Sequence, residues 1–74
     1  MLTTDNLAIL RVLASTSDVR VSFISEACGH KGDGWWASKR VASLKGRGFI
    51  ASTSYGRYQI TDKGLVALAK EEKR

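Results

Sequence analysis

The side chains of this 74-residue chain that could do chemistry are cations gathered in one segment. Between residues 30 and 58 the sequence has six lysines and arginines and a single acid, Asp33, which together equal the whole net charge of +5. The candidates for contact with a polyanion are Lys39, Arg40, Lys45, Arg47 and Arg57. Elsewhere acids and bases balance. A neutral scaffold with one basic segment favours a polyanionic partner, and a solvated basic surface is the alternative.

Two tryptophans, Trp35 and Trp36, begin the same segment. Adjacent positions lie about 100° apart around a helix, so the two indoles have different roles. Each precedes a cation by one turn, Lys39 for Trp35 and Arg40 for Trp36, which allows cation–π stacking. One indole could press on thymine methyl groups or sugars in a DNA groove. For Trp36 we favour packing against the preceding loop or under a wing; a third alternative is an exposed Trp35/Trp36 patch for a protein partner.

Cys28, His30 and Asp33 form the one cluster of potential metal ligands in the sequence. They supply three ligands at most, and their spacing differs from that of structural zinc sites, so we expect a buried thiol and a loop histidine instead. A single histidine and a single cysteine make no convincing pair of base and nucleophile, and no glycine-rich phosphate loop follows a strand. The sequence therefore predicts no enzyme, no cofactor and no metal.

The composition also bears on the compartment. One cysteine cannot form an intramolecular disulfide, which favours a reducing environment. The N-terminal segment lacks the basic start and cleavage motif of a signal peptide, and no apolar run approaches the roughly 18 residues of a membrane span. We expect a cytoplasmic protein that has no contact with a membrane.

A helix over residues 34–46 is predicted to hold the basic and aromatic side chains. Asp33 is placed to cap its first turn, and Gly46 and Gly48 are placed to stop it. The buried edge, spaced at i, i+4 and i+7, consists of Ala37, Val41 and Leu44. A different face carries Trp35, Ser38, Lys39 and Ala42.

An earlier helix is predicted at the start of the chain, where Thr3 or Thr4 can act as the N-cap. Its apolar side consists of Leu7, Leu10 and Ala14, widened by Ile9 and Leu13. Turn-forming residues at 15–18 end it, and a short β-prone piece at 19–21 could pair at the edge of a small sheet.

A second short helix is predicted from an N-cap at Ser22 to about Cys28, with Phe23 or Ile24 on its buried side. Gly29 is suited to the position after its end, where a positive φ is needed. Together with the helix at 34–46, this segment has the pattern of a helix–turn–helix, in which the second helix is the reader.

After Gly48 the apolar pattern changes to the alternation that is typical of strands. The segments 49–54 and 58–61 flank a glycine-containing turn, so we predict a hairpin with Arg57 near its tip. Tyr55, at the same tip, could donate a hydrogen bond to a phosphate. A last helix, capped by Asp62 or Thr61, has an apolar face that consists of Leu65, Leu68 and Ala69. The candidate surface for a homodimer on this helix is formed by Leu65, Val66 and Leu68.

Two stretches resemble motifs of a known family. Leu44-Lys45-Gly46-Arg47-Gly48-Phe49-Ile50 is similar to the Leu-x-x-x-Gly-Leu-Ile stretch with which bacterial and archaeal winged-helix regulators leave the recognition helix and enter the wing. Tyr55-Gly56-Arg57-Tyr58-Gln59-Ile60-Thr61-Asp62-Lys63-Gly64 resembles the Gly-Arg-x-x-x-Leu-Thr-x-x-Gly ending of the wing in the same families, including MarR-like and PadR-like repressors. The resemblance extends over residues 4–70.

The resemblance implies an α+β winged helix–turn–helix fold: three or four helices and a small antiparallel sheet whose β-hairpin is the wing. A single domain over residues 1–74 would have its recognition helix at about 34–46 and its wing at about 49–61. Double-stranded DNA is the implied partner, with Arg57 beside the minor groove or the backbone. The residues implied to face the major groove are Trp35, Trp36, Ser38, Lys39 and Ala42.

The chain departs from MarR-like proteins in lacking their long terminal dimerisation helices and room for a ligand pocket. Paired tryptophans also replace the small polar residues that usually begin the reader helix. We therefore expect a minimal DNA-binding domain or a small phage-type or plasmid-type transcriptional regulator. Because fold alone does not determine function, a protein-interaction module that uses the Trp35/Trp36 patch is the alternative, and binding of RNA or single strands by stacking is a third.

Overall fold

The computed structural model describes residues 2–16, 18–54 and 56–72, and its secondary structure consists of helices and short strands. In chain order the elements are α1 (Thr4–Ser15), β1 (Val19–Arg20), α2 (Val21–Ala27), α3 (Gly34–Gly46), β2 (Ile50–Ser54), β3 (Arg57–Ile60) and α4 (Asp62–Glu72). The strands form one antiparallel sheet in the order β1-β3-β2. Four helices and a hairpin in this arrangement confirm the predicted α+β winged-helix fold.

Side-chain caps begin two of the helices where the sequence predicts them. The hydroxyl of Thr3 accepts a hydrogen bond from the Asn6 amide at 3.1 Å, and the carboxylate of Asp33 accepts one from the Trp36 amide at 3.1 Å. Both oxygens satisfy amide groups that have no partner inside the helix. These caps fix where α1 and α3 start.

The predicted cap of α2 at Ser22 is wrong. Helix α2 begins at Val21, and Arg20 precedes it with no side-chain cap bond. Arg20 is still in extended backbone because it pairs with Arg57 in the sheet, so the chain turns from strand directly into helix. Ser22 therefore lies inside the first turn instead of before it.

Glycines end α2 and α3 in the same way. Gly48 follows α3 with φ +83°; its amide donates to the Lys45 carbonyl at 3.0 Å, and the Phe49 amide donates to the Leu44 carbonyl at 3.1 Å. This pair of bonds is a Schellman motif, which needs a left-handed residue after the cap. Gly29, at φ +85°, takes the same place after α2, as predicted. The stop after α3 is therefore Gly48, since Gly46 lies within the helix.

The core is built mainly from α1 and α3. Its fully buried residues are Ile9, Leu10, Leu13, Ile24, Ala37 and Leu44, with Val41 and Ile50 only 2% exposed. The buried edge predicted for α3 is confirmed, and Ile24 is the inward residue of α2, whereas Phe23 is 44% exposed. The prediction that Ala14 faces the core is wrong, because α1 buries the stripe at positions 6, 9, 10 and 13 against α2, α3, α4 and the sheet.

Helix α4 is anchored at its first turn. Thr61, one of the two predicted caps, accepts a hydrogen bond from the Gly64 amide at 3.1 Å and donates its hydroxyl proton to the Gly48 carbonyl at 2.7 Å. Gly64 is buried against Phe49, and a methyl group there would lie 2.1 Å from the Phe49 carbonyl oxygen. The absence of a side chain at Gly64 is therefore what lets α4 reach the junction between α3 and the hairpin.

Candidate nucleic-acid interface

Helices α2 and α3 are held at a fixed angle by the loop between them. The buried hydroxyl of Ser25, on α2, donates to the Asp33 carbonyl at 2.9 Å. The Asp33 amide donates in turn to the His30 carbonyl at 3.0 Å. Since Asp33 is the N-cap of α3, these bonds connect the end of one helix to the start of the next. The helix–turn–helix pattern predicted from the sequence is present.

The outer face of α3 has small side chains in its middle and lysines at its edges. Opposite the buried edge lie six exposed residues: Trp35, Ser38, Lys39, Ala42, Lys45 and Gly46. Ser38, Ala42 and Gly46 are spaced four apart, so small side chains form the middle of the face, with the lysines beside them. Trp35, at the N-terminal end, is 74% exposed. A face with this profile allows close approach of a rigid surface, and we call it the α3 outer face below.

Trp36 does not share that face. Its indole is only 9% exposed and stacks on the ring of His30 at a centroid distance of 3.9 Å and an interplanar angle of 13°. The guanidinium of Arg40 lies over the same indole, 4.7 Å from the ring centre. The expected packing against the preceding loop is confirmed, whereas the alternative of an exposed Trp35/Trp36 pair, and the groove-facing position that the resemblance implies for Trp36, do not agree with its burial. Trp36 is drawn inward because it lies next to the buried edge of α3.

Arg40 is used within the protein. One guanidinium nitrogen donates to the Trp36 carbonyl at 2.9 Å, and another lies 3.2 Å from a carboxylate oxygen of Asp5. The side chain is 24% exposed. Its charge is thus balanced by an acid of α1, and it adds less to a basic surface than its place in the sequence indicates.

The wing has a similar ion pair. Asp18 lies 3.6 Å from a guanidinium nitrogen of Arg57, and its carboxylate also accepts the hydroxyl of Thr53. The β2–β3 register shifts between Ser52 and Ser54, which leaves Thr53 out of the ladder. Asp18 itself has φ +62°, a left-handed conformation that aspartate tolerates better than most residues. One carboxylate therefore connects the start of β1 to both strands of the wing. Tyr55, predicted to contact phosphate, lies outside the described residues.

A second group of cations lies where α3 meets the hairpin. The guanidinium of Arg47 is 5.4 Å from the centre of the Phe49 ring, and the ammonium of Lys63 is 5.5 Å from it. Lys63 is absent from the predicted site residues because it belongs to the last helix. The Thr61–Gly64 junction brings it there. The signal in the sequence that could have placed it is the glycine at position 64, early in the last helix, because a glycine there indicates close packing of the helix on another element.

The remaining side chains of interest are the histidine, the cysteine and the acids near the start of α3. In the ranges that the structure describes, no three histidine, cysteine or acidic side chains are grouped so as to hold a metal ion. His30 is stacked on Trp36, and Cys28 is half-buried. Burial, and after it the nearby carboxylate of Asp5, raises the pKa of the Cys28 thiol. Both effects disfavour the thiolate, which is the reactive form.

None of the described helices is long and apolar enough to cross a membrane. No family model matches the chain, and no curated protein is significantly similar to it. What is shown is accordingly the fold class, α+β with a winged-helix arrangement, which rests on the order and pairing of the helices and strands.

Proposed function

We propose that this protein binds double-stranded DNA and acts as a small transcriptional or phage-type regulator. The observation that carries the proposal is the α3 outer face, which combines a central line of small residues with exposed Lys39 and Lys45 at its edges. The motif resemblance to winged-helix regulators points the same way. Trp36 and Arg40 do not contribute to this face, because their side chains are occupied by contacts inside the protein.

The dimensions of α3 suit the major groove. Its 13 residues span about 20 Å at 1.5 Å per residue, and the groove admits one α-helix. In this arrangement Trp35 and Ser38 approach the bases, and Lys39 and Lys45 approach guanine edges or phosphates. A lysine on a guanine edge is worth about 1–3 kcal/mol of discrimination. The wing would lie on the flanking backbone, with Arg57 as its cation.

A domain of this size contacts few base pairs, so useful specificity takes two copies on two half-sites. For a homodimer through α4 the proposed contacts are Leu65 and Val66, which are 44% and 54% exposed. Leu68, the third residue predicted for that surface, is 6% exposed and belongs to the core of its own chain.

A protein-interaction module is the second candidate, and the exposure of Trp35 is the observation that favours it. A tryptophan that is 74% exposed is an unusual surface residue and a frequent anchor of protein interfaces. With Trp36 buried, this candidate depends on one indole instead of two.

Salt-dependent titration of a generic duplex tests the proposal. Fluorescence anisotropy is measured at about 50 and about 200 mM salt for the wild type, Lys39→Ala and Lys70→Ala; each phosphate contact contributes about 0.9 to the salt slope. Lys70 is an exposed lysine of α4, so its variant loses the same charge away from the α3 outer face. We expect Lys39→Ala to reduce both affinity and slope, and Lys70→Ala to change them much less.

Two outcomes would count against DNA binding through the α3 outer face. Equal effects of the two lysine variants would mean that the protein attracts DNA only through its net charge. Absence of binding at about 50 mM salt would overturn the proposal and leave the Trp35 interface as the remaining candidate, to be tested by comparing Trp35→Ala with the wild type in partner capture.

A further inference from the structure

Two cations lie around the ring of Phe49, where α3, β2 and α4 meet. The guanidinium carbon of Arg47 is 5.4 Å from the centre of the ring, and the ammonium nitrogen of Lys63 is 5.5 Å from it. The two charges can therefore be no further apart than the sum of these distances, although they come from different ends of the hairpin. We call Arg47, Lys63 and the Phe49 ring the junction patch.

The cations of the junction patch are held in place without being neutralised. Both are exposed, and neither forms an ion pair with an acid of the described residues, including Asp62, which precedes Lys63 in the chain. Arg40 and Arg57, in contrast, are each paired with a carboxylate. An aromatic ring attracts a cation through its quadrupole and carries no opposite charge, so the full charge stays available to a partner.

Lys63 is ordered by the end of α3. Its Cδ and Nζ atoms lie 3.5 and 3.6 Å from the place that a Cβ would occupy at Gly48, so the side chain passes over the glycine that ends the helix. The negative end of the α3 dipole favours a cation there. The Thr61 hydroxyl donates to the Gly48 carbonyl at 2.7 Å and fixes the start of α4 beside the same glycine. A side chain that is ordered beforehand loses less conformational entropy on binding.

The junction patch borders the C-terminal end of the α3 outer face. Lys45, the last lysine of that face, is two residues before Arg47, and Trp35 lies at the other end of a helix of about 20 Å. The major groove is only about 12 Å wide. A helix whose N-terminal half contacts the bases therefore brings its C-terminal end to the phosphates at the border of the groove.

We propose that the junction patch binds the phosphate backbone of one DNA strand at that border, and that Lys63 of the last helix contacts DNA. The proposal rests on the proposed function and adds an anchoring point at the opposite end of the hairpin from Arg57. Arg47 donates hydrogen bonds to phosphate oxygens and Lys63 adds a second charge. Neither reads a base, so the patch contributes affinity and salt dependence without sequence discrimination.

The test compares Lys63→Met with Lys70→Met in anisotropy titrations of a generic duplex at about 50, 100 and 200 mM salt. Methionine keeps an unbranched stem beside Phe49 and removes the charge, and Lys70 is an exposed lysine of the same helix. We expect Lys63→Met to lower the salt slope by about 0.9 and the affinity at about 100 mM salt roughly tenfold, the values of one phosphate contact. Lys70→Met should change the affinity by no more than about twofold. Equal slopes for the two variants would overturn the proposal.

Lys63→Arg separates the charge of the side chain from its packing. Arginine retains the cation, so we expect the wild-type salt slope and an affinity within about threefold of the wild type. A loss as large as that of Lys63→Met would mean that the charge at position 63 does not bind phosphate, and the proposal would be wrong. Duplexes of unrelated sequence should show the same fold-loss for Lys63→Met, because a phosphate contact is independent of sequence. A loss confined to one sequence would also overturn it.

The junction patch and the proposed function fail in different ways. If Lys39→Ala weakens duplex binding while Lys63→Met matches Lys70→Met, the patch is not a phosphate contact, and DNA binding through the α3 outer face stands. If the wild type does not bind the duplex at about 50 mM salt, the proposed function fails, and the junction patch fails with it as a contact to DNA.

Discussion

The carboxylate of Asp18 offsets the positive charge of Arg57. The sequence predicts that Arg57 is an unpaired cation at the tip of the wing. In the structure the Asp18 carboxylate lies 3.6 Å from its guanidinium group and also accepts a hydrogen bond from the Thr53 hydroxyl. The pair is exposed on both sides, so it adds at most about 1 kcal/mol to stability. Its larger consequence is electrostatic, because it cancels a charge on the surface proposed for DNA.

Replacing Asp18 by asparagine should therefore strengthen DNA binding. Asparagine tolerates the left-handed conformation and can still accept from Thr53, whereas the charge that neutralises Arg57 is lost. We expect tighter duplex binding and a salt slope greater by about 0.9. Glu72→Gln is the control, since Glu72 forms an exposed ion pair with Arg11 at 2.8 Å on the α1–α4 side. An equal gain from both variants would show that only net charge matters.

Cys28 should make stability depend on pH in the alkaline range. Its pKa is raised in the folded protein, first by burial and then by Asp5, from an ordinary value of 9.0. Above that value the unfolded chain has lost the thiol proton and the folded protein still holds it, so rising pH favours unfolding. Urea unfolding at pH 8 and pH 10 should show the wild type losing more stability than Cys28→Ala. A difference between the two proteins that is constant with pH would contradict this.

At the scale of the elements, the junction of α3, β2 and α4 determines how the hairpin and the last helix are placed relative to α3. Phe49 is the last residue of the Schellman motif that ends α3. Its carbonyl accepts a hydrogen bond from the Thr61 amide at 3.0 Å, and its ring lies near the cations of Arg47 and Lys63. Helix α4 can approach this point only through Gly64. The junction thus sets both the direction in which the hairpin leaves α3 and the position of a cation from the last helix.

Two glycine-to-alanine variants should have opposite effects on stability. At Gly64 the new methyl group would lie 2.1 Å from the Phe49 carbonyl oxygen and 2.7 Å from the Ile60 side chain, so we expect a loss of about 3 kcal/mol from overpacking. At Gly46, inside α3, nothing lies within 4 Å, and alanine should add about 1 kcal/mol through helix propensity. Denaturant unfolding measures both. A neutral Gly64→Ala would mean that α4 can shift without cost.

For the whole molecule, the distribution of charge over the folded surface differs from the distribution of charged residues along the sequence. The sequence places one acid among the six cations of residues 30–58, yet Asp5 and Asp18 from outside that window lie beside Arg40 and Arg57. Lys63, which is also outside that window, lies beside the Phe49 ring together with Arg47 and so adds a cation to the surface. The basic surface is consequently centred on Lys39, Lys45 and the α3–hairpin junction, which is narrower than the basic segment of the sequence.

Local signals predict most of the elements, but not the start of α2 or the outward position of Ala14. The Asp33 cap, the buried spacing of Ala37, Val41 and Leu44, and the glycines after α2 and α3 act through groups a few residues apart, so they can be read without knowing the fold. The alternation after Gly48 predicted the hairpin for the same reason. The winged-helix arrangement followed from the order of these elements and from two motifs at the ends of the wing.

Tertiary structure alone decided which polar and aromatic side chains are available. Asp5 meets Arg40 across 35 residues of sequence, and Thr53 meets Asp18 across the same separation. The burial of Trp36 beside an exposed Trp35, and the need for glycine at position 64, likewise depend on contacts between separate elements. Periodicity locates a side chain on a face of its own helix, but its neutralisation or burial is set by groups that only the packed fold brings within a few ångströms.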